Sequence, residues 1–373
     1  MEKKDLLKDV VEHIDIKKYD STELINAMRK MSFTSRDTAR AADILCQMIA
    51  EKDCTNILTI AGSTSAAGCM QVYVEMVKNK MIQKLDHAKL SNFKKNFDKG
   101  YASSTIDPTF QYGVPYAVTY TGLAYRKDKV GDAPVDSWKV FETAALKGRM
   151  SLLSDMRETI GGALKFLGYS LNSTSAEEIN KAADVVIGWK KNIAKFDNEQ
   201  YKTAVASGEW FVGHGYSSDV IQTMLDNENV GFALPKEGFT VACDEMVVAA
   251  DSKKAELAHK FIDFCYDPDI AAANMTEVCA PMPVNPAFPK LEESLRKLVV
   301  IDAETLKKGE VIRDFSDQPA IHKLYVDAWD KIKAVWEPVA EFFTKLWEKL
   351  HQDEQLGQIL DAIAAPFQTA WEI

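Results

Sequence analysis

The chain has 373 residues, 46% hydrophobic and 27% charged, which excludes a collagen-like, disordered or membrane-spanning protein. At roughly 100–200 residues per domain, that length predicts two or three domains. Its 45 Lys and Arg against 55 Asp and Glu leave a net charge of −10, a poor match for nucleic acid, where affinity rests on cations that neutralise phosphates. An acidic chain suits a cationic partner wherever its carboxylates converge.

Residues 1–82 hold 12 Lys and Arg and 12 Asp and Glu, so the whole net charge falls on the later residues, where 33 positive side chains face 43 negative ones. The N-terminal stretch MEKKDLLKDVVEH lacks an apolar core, which predicts no signal peptide and a cytoplasmic chain as it stands. An exported, periplasmic form would need a leader. Residues 5–50 read as helices, with Leu24, Ile25, Met28 and Met31 on one face and Ala42, Ile44, Leu45, Met48 and Ile49 on the next. Ser32, Thr34 and Ser35 are N-cap candidates before the second helix.

Asn56-Ile57-Leu58-Thr59-Ile60-Ala61 then reads as a buried parallel strand, emptying into Gly62-Ser63-Thr64-Ser65-Ala66-Ala67-Gly68 and a helix to about Lys80. Ligands of open α/β sheets sit beyond the carboxyl ends of their strands, so this turn is either an anion cradle or a plain tight turn. It meets neither the GxGxxG spacing nor the GKS/GKT ending.

From about residue 105 the pattern becomes short α/β elements. Strands are expected at Ala117–Tyr125, Trp210–Gly213, Val230–Leu234 and Met246–Ala249. Helices are expected at Glu158–Leu167, Ala176–Lys195, Asp219–Leu225 and Ala255–Cys265. Past 335, Trp336, Val339, Phe342, Phe343, Leu346 and Leu350 mark one amphipathic helix and Leu356, Ile359, Leu360 and Ile363 another. The six cysteines form no CxxC pair and have no His at zinc-ligand spacing, so they read as buried structural thiols. His87 and His214 stand alone and read as structural.

Two families emerge from longer motifs. KKDLLKDVVEHIDIKKYD, ELINAMRKMSFTSRDTARAADIL, DCTNILTIAGSTSAAG and VEMVKNKM make residues 1 to about 82 similar to the N-terminal part of deoxyhypusine synthase-like proteins. In that family the segment belongs to a Rossmann-like NAD-binding domain, which implies Gly62, Ser63, Thr64 and Ser65 at a dinucleotide site. The catalytic half of that enzyme has no counterpart here.

Residues from about 83 to 335 resemble the spermidine/putrescine-binding proteins of ABC transporters. The matching stretches include IQKLDHAKLSNF, YGVPYAVTYTGLAYRKDKV, LLSDMRETIGGALKFLGYSLNST, SGEWFVGHGYSSDV and VGFALPKEGFTVACDEMVV. The resemblance implies a two-lobed α/β fold of the type II periplasmic-binding kind, with a Rossmann-like βα segment at the N-terminus and a helical C-terminal tail. Residues 1–82, 83–125 and 245–335 would make the first lobe, 126–244 the second and 336–373 the tail. The whole reads as a chimera in which one βα layer replaces another.

A polyamine demands separated carboxylates for its ammonium groups and aromatic faces for its stem. The resemblance places acidic contacts at Asp155, Glu158, Asp219 and Asp244. Asp155 and Glu158, three residues apart, share a face if they open a helix. As N-caps or solvated charges, Asp155 and Asp219 would have blander roles, whereas Asp244 lies between apolar strand segments, where an unpartnered carboxylate is rarely buried. Tyr216 keeps one aromatic, while Val118, Ala242 and Ala280 replace three others. Tyr116 and Tyr120 are candidates to compensate, and Ser63 remains a candidate contact on the first layer. Glu245 should point to the opposite side from Asp244.

The expectation is a non-enzymatic solute-binding protein that closes two lobes on a small cation such as spermidine or putrescine. It needs neither cofactor nor metal, no nucleic acid and no membrane span, and an ABC transporter permease is its candidate partner. The alternatives are a deoxyhypusine synthase-like protein using NAD and spermidine, and a recombined scaffold without activity.

Overall fold

The computed structural model describes residues 34–50, 81–105, 107–313 and 318–334, with Thr22, Ile25 and Phe315. Thr34–Ala50 is a helix, as the 42–49 periodicity predicts, and it leaves Ile44 and Met48 exposed. The expected strand Asn56–Ala61, the turn Gly62–Gly68 with Ser63, and the C-terminal helical pair lie outside the described residues.

One strand organises the rest. β1 (Gly113–Arg126) is 14 residues long, more than twice the usual strand, because β-branched and aromatic residues run through it without a turn signal. The other strands are β2 (Met150–Leu152), β3 (Lys195–Phe196), β4 (Val212–Tyr216), β5 (Val230–Ala233), β6 (Phe239–Val247) and β7 (Gly309–Val311). The first half of β1 pairs antiparallel with β6, from Gly113↔Val247 to Tyr120↔Val241, with an irregularity between Pro115 and Ala117. Its second half pairs with β4, from Thr121↔Tyr216 to Tyr125↔Val212, and with β5. β1 therefore leaves one sheet and enters another at Tyr120–Thr121. β6 also pairs in parallel with β7, while β2 lies parallel between β3 and β4.

Each sheet has its own core. In the second, Trp138 and Trp189 stack at 6.4 Å and 16°, beside Met150, Leu152, Ile160 and Leu164. The helix Met156–Phe166 packs there because Gly162 lets Trp138 in: a Cβ at Gly162 would lie 2.9 Å from the Trp138 ring. In the first, Leu90, Phe93, Val114, Tyr266, Met275 and Val284 cluster, and Phe93 meets Tyr266 edge-to-face at 4.9 Å.

Three details differ from the sequence reading. The helix expected at Ala176–Lys195 stops at Lys190, since Lys195 and Phe196 pair with Ser151 and Leu152 as β3. The strand expected at Met246–Ala249 begins at Phe239. Its Cys-Asp-Glu stretch breaks the apolar pattern because one face there is open, with Ala242 and Asp244 exposed. The helix Pro319–Ala334, grouped by sequence with the first lobe, sends Tyr325, Ala328 and Ile332 into the core of the second sheet.

Candidate binding site at the crossover strands

β2 and β4 lie side by side, and the chain leaving each one opens a helix next to the crossover. After β2, Asp155 is the N-cap of Met156–Phe166, its Oδ1 accepting from the amides of Arg157 at 2.8 Å and Glu158 at 3.0 Å. This is the N-cap role weighed from sequence, and it also fixes the carboxylate in place. Glu158 follows in the first turn of the helix.

Asp155 and Glu158 are both buried, at 4% and 7% exposure, and they are brought together as the sequence predicts. Burial raises the Asp155 carboxyl, opposed by the two amides and by the Arg157 charge. Burial, reinforced by the Asp155 charge, pushes Glu158 up to about 8. The hydroxyls of Thr240 and Thr121, one from each crossover strand, favour its ionised form. Its Oε2 is buried without a hydrogen-bond partner among the described residues. A buried acceptor left unpaired costs about 1–3 kcal/mol. The Arg157 guanidinium turns from the pair, donating to the carbonyls of Arg313 and Leu171 and stacking on Tyr325 at 4.1 Å, and its charge still opposes the raising of both carboxyls.

After β4, Tyr216 precedes the helix Ser217–Asp226, and its register partner is Thr121, which touches Glu158. Asp219 stands in that helix's first turn. Its Oδ2 accepts from the Tyr201 hydroxyl at 2.7 Å, and its Oδ1 lies 3.6 Å from Lys202 Nζ. The same Tyr201 oxygen accepts from the Tyr216 amide at 3.3 Å. Asp219 is thus the most committed of the four carboxylates, already matched to a cation of its own chain.

Asp244 lies on β6 opposite Ala117, four residues beyond Thr240 and so about 13 Å along the strand. It is exposed rather than buried, which removes the premise of the sequence argument. Desolvation still raises its carboxyl. Its carboxylate makes no hydrogen bond or ion pair among the described residues, while its carbonyl accepts from the Cys243 thiol at 3.5 Å. Tyr116 is near enough for the Asp244 charge to help raise its hydroxyl, after burial and the Cys265 thiol. Tyr120 does not compensate for a lost aromatic. It is buried against Tyr101 and Phe239, as is Val118. Ala280 is buried too, whereas Ala242 is exposed on the Asp244 side of the strand.

The arrangement offers carboxylates at two separated stations joined by the crossover strands, the chemistry of an elongated dication. Thr121, Thr240 and Tyr201 carry no sequence signal: each looks like ordinary strand or helix filling until the sheets are joined. His214 is buried edge-on to Trp138 at 4.9 Å, its charge suppressed by burial to about 3, a structural role as expected. A surface pocket of about 370 Å³ sits elsewhere, at His87, Phe93, Phe97 and Phe110, and none of the candidate residues lines it. The described cysteines are free; Cys265 and Cys279 are buried as the apolar surroundings predict, whereas Cys46 is exposed and Cys243 only partly covered, and no cluster fit for a metal occurs among the described residues.

Residues 61–297 match the bacterial extracellular solute-binding protein family, and residues 23–85 match deoxyhypusine synthase. The chain is 32% identical to a putrescine/cadaverine-binding protein of Pseudomonas aeruginosa, over 69% of this chain and 76% of that one. Its beginning is 60% identical to a deoxyhypusine synthase-like protein of Caulobacter vibrioides, covering 22% of each. A solved spermidine/putrescine ABC transporter substrate-binding protein, PotD, from Streptococcus pneumoniae superposes with a TM-score of 0.66 at 23% identity, over 78% of this chain and 95% of that one. That likeness carries the type II periplasmic-binding fold.

Proposed function

The chain belongs to the bacterial extracellular solute-binding protein family, and we propose that it binds a polyamine such as spermidine or putrescine between two lobes joined by β1 and β6. The observation that carries the reading is the buried Asp155–Glu158 pair, whose Oε2 lacks a donor and whose neighbouring arginine faces away. One ammonium group would satisfy that acceptor. Asp244, with Tyr116 beside it, would meet the second, and Tyr216 would flank the methylene stem. Asp219, held by Tyr201 and Lys202, would position the Tyr216 turn.

Closure draws its free energy from the ligand's preference for the closed form. A place outside the cytoplasm is supported by the family description, and a transporter partner by the ABC transporter named in the PotD structure. No helix among the described residues is long and apolar enough to cross a membrane. A role other than catalysis is supported by the short reach of the synthase-like match, 22% of its relative. Each lost aromatic face removes about 0.5–2 kcal/mol of cation–π attraction, so affinity should fall below that of an aromatic-boxed site.

A thermal-shift series with spermidine, putrescine and NAD side by side tests this. Ligand bound to the folded state raises the melting temperature by mass action. The polyamines should raise it in the native chain and not in Glu158→Gln, and NAD should leave both unchanged. A shift with NAD alone would restore the synthase-like reading.

A further inference from the structure

The helix that carries Glu158 bridges the two sheets. Ile160, Ala163 and Leu164 of Met156–Phe166 sink into the core of the second sheet. Glu158 and Lys165, seven residues apart and so about two turns along the helix, share a face that meets the first sheet. There Glu158 meets the hydroxyl of Thr240 on β6, and Lys165 pairs with Glu310 on β7. Thr240 and Glu310 are register partners where β6 and β7 run parallel. One helix thus rests on two adjacent strands at two points, about 10 Å apart along its axis.

The second point is well supported on every side. The Lys165 and Glu310 side chains are only 12% and 29% exposed, unlike a surface ion pair that water screens. The Ser170 hydroxyl donates to the other Glu310 oxygen at 2.6 Å. Against the opposing effect of burial, the Lys165 ammonium and this hydroxyl hold the Glu310 carboxyl below its ordinary value. The Lys165 stem lies over Gly238, whose φ is 124° and where a Cβ would strike both that stem and the Lys308 carbonyl. Just beyond the helix, Asn172 donates to the Val311 carbonyl at 2.9 Å and accepts from the Arg313 amide at 2.7 Å. The outer edge of β7 is therefore tied to the chain that leaves the helix.

We propose that the Lys165–Glu310 pair is a positioning element for polyamine binding, locking the helix Met156–Phe166 across the two sheets so that Asp155 and Glu158 are aimed at the ligand. This rests on the polyamine reading of those carboxylates, and neither Lys165 nor Glu310 touches the ligand. Positioning and a direct electrostatic effect differ in sign. Lys165 is itself a cation, so its field opposes a cationic ligand while the field of Glu310 favours one. Loss of the lock weakens binding whichever partner is removed.

Titration calorimetry with putrescine and spermidine tests this on the native chain, Lys165→Met, Glu310→Gln and the exchanged pair Lys165→Glu with Glu310→Lys, each below its own melting temperature. Both single variants should bind roughly 2- to 30-fold more weakly, and the exchanged pair should recover most of the loss. Tighter or unchanged binding by Lys165→Met would overturn the proposal. So would weakening that the exchanged pair does not recover, since packing and not the pair would then be at work. A native chain that binds no polyamine would sink the functional reading alone, because Glu158 can be followed without ligand. Nuclear magnetic resonance of isotope-labelled glutamate carboxyls reads its titration, the signal being the one lost in Glu158→Gln. The midpoint, about 8 in the native chain, should fall towards the ordinary carboxylate range in both single variants, as water reaches the loosened helix, and return in the exchanged pair. A midpoint unmoved in either single variant would overturn the positioning role.

Discussion

Glu158 concentrates the chemistry of the site in one carboxyl. Pushed up to about 8 in the free protein, it is mostly protonated at neutral pH, and a bound ammonium group would ionise it. Polyamine binding near pH 7 should then release a proton, and affinity should rise with pH until about 8 and level off. Calorimetry in buffers of different ionisation enthalpy reads this directly; a heat independent of buffer would contradict it. The stability effect has the opposite sense. The folded state holds a proton that the unfolded chain gives up near the ordinary carboxylate value, so stability falls as pH climbs from there towards 8. Glu158→Gln should therefore raise the melting temperature of the free protein at pH 8 while removing polyamine binding. A lower melting temperature would show that the carboxylate is paid for by contacts within the chain. Ala242→Trp, restoring an aromatic face beside Asp244, should tighten binding by about 0.5–2 kcal/mol, read as a drop in Kd.

The elements were legible where periodicity and packing agree. Ala255–Cys265 has the predicted limits, because its apolar spacing and the following Asp267-Pro268 both act locally. β2, β3 and β7 were not foreseen: two or three residues long, they owe their conformation to partners distant in sequence, such as Ser151↔Lys195 and Thr240↔Glu310. The expected strand Met246–Ala249 covers only the end of β6 and overshoots it, since the polar Asp244 and Glu245 interrupt the alternating apolar pattern on the open face of the strand. The carboxylates of the site were legible through the SDMRE and ACDE motifs, but the threonines that hold Glu158 were not, since only tertiary structure puts Thr121 and Thr240 against one helix. Gly162 is a test at this scale. Gly162→Ala drives a methyl into the Trp138 ring and should cost about 1–3 kcal/mol despite its better helix propensity, measured by denaturant unfolding.

At the scale of the whole molecule, β1 is the strand that pairs in both halves, with β6 along its first part and with β4 and β5 along its second, so relative motion of the two halves would bend it. In the proposed site, one station is Glu158 against Thr121 and Thr240 and the other is Asp244, four residues further along β6. A ligand that spans both couples binding to closure, and one that reaches only a single station does not. The chain's length is thereby accounted for as a two-lobed frame with a borrowed first segment.

Isothermal titration with putrescine and spermidine compares the native chain with Glu158→Gln. One-to-one binding is expected of the native protein and none of the variant. No heat at millimolar ligand in a folded native sample, or equal affinity in the two proteins, would contradict it.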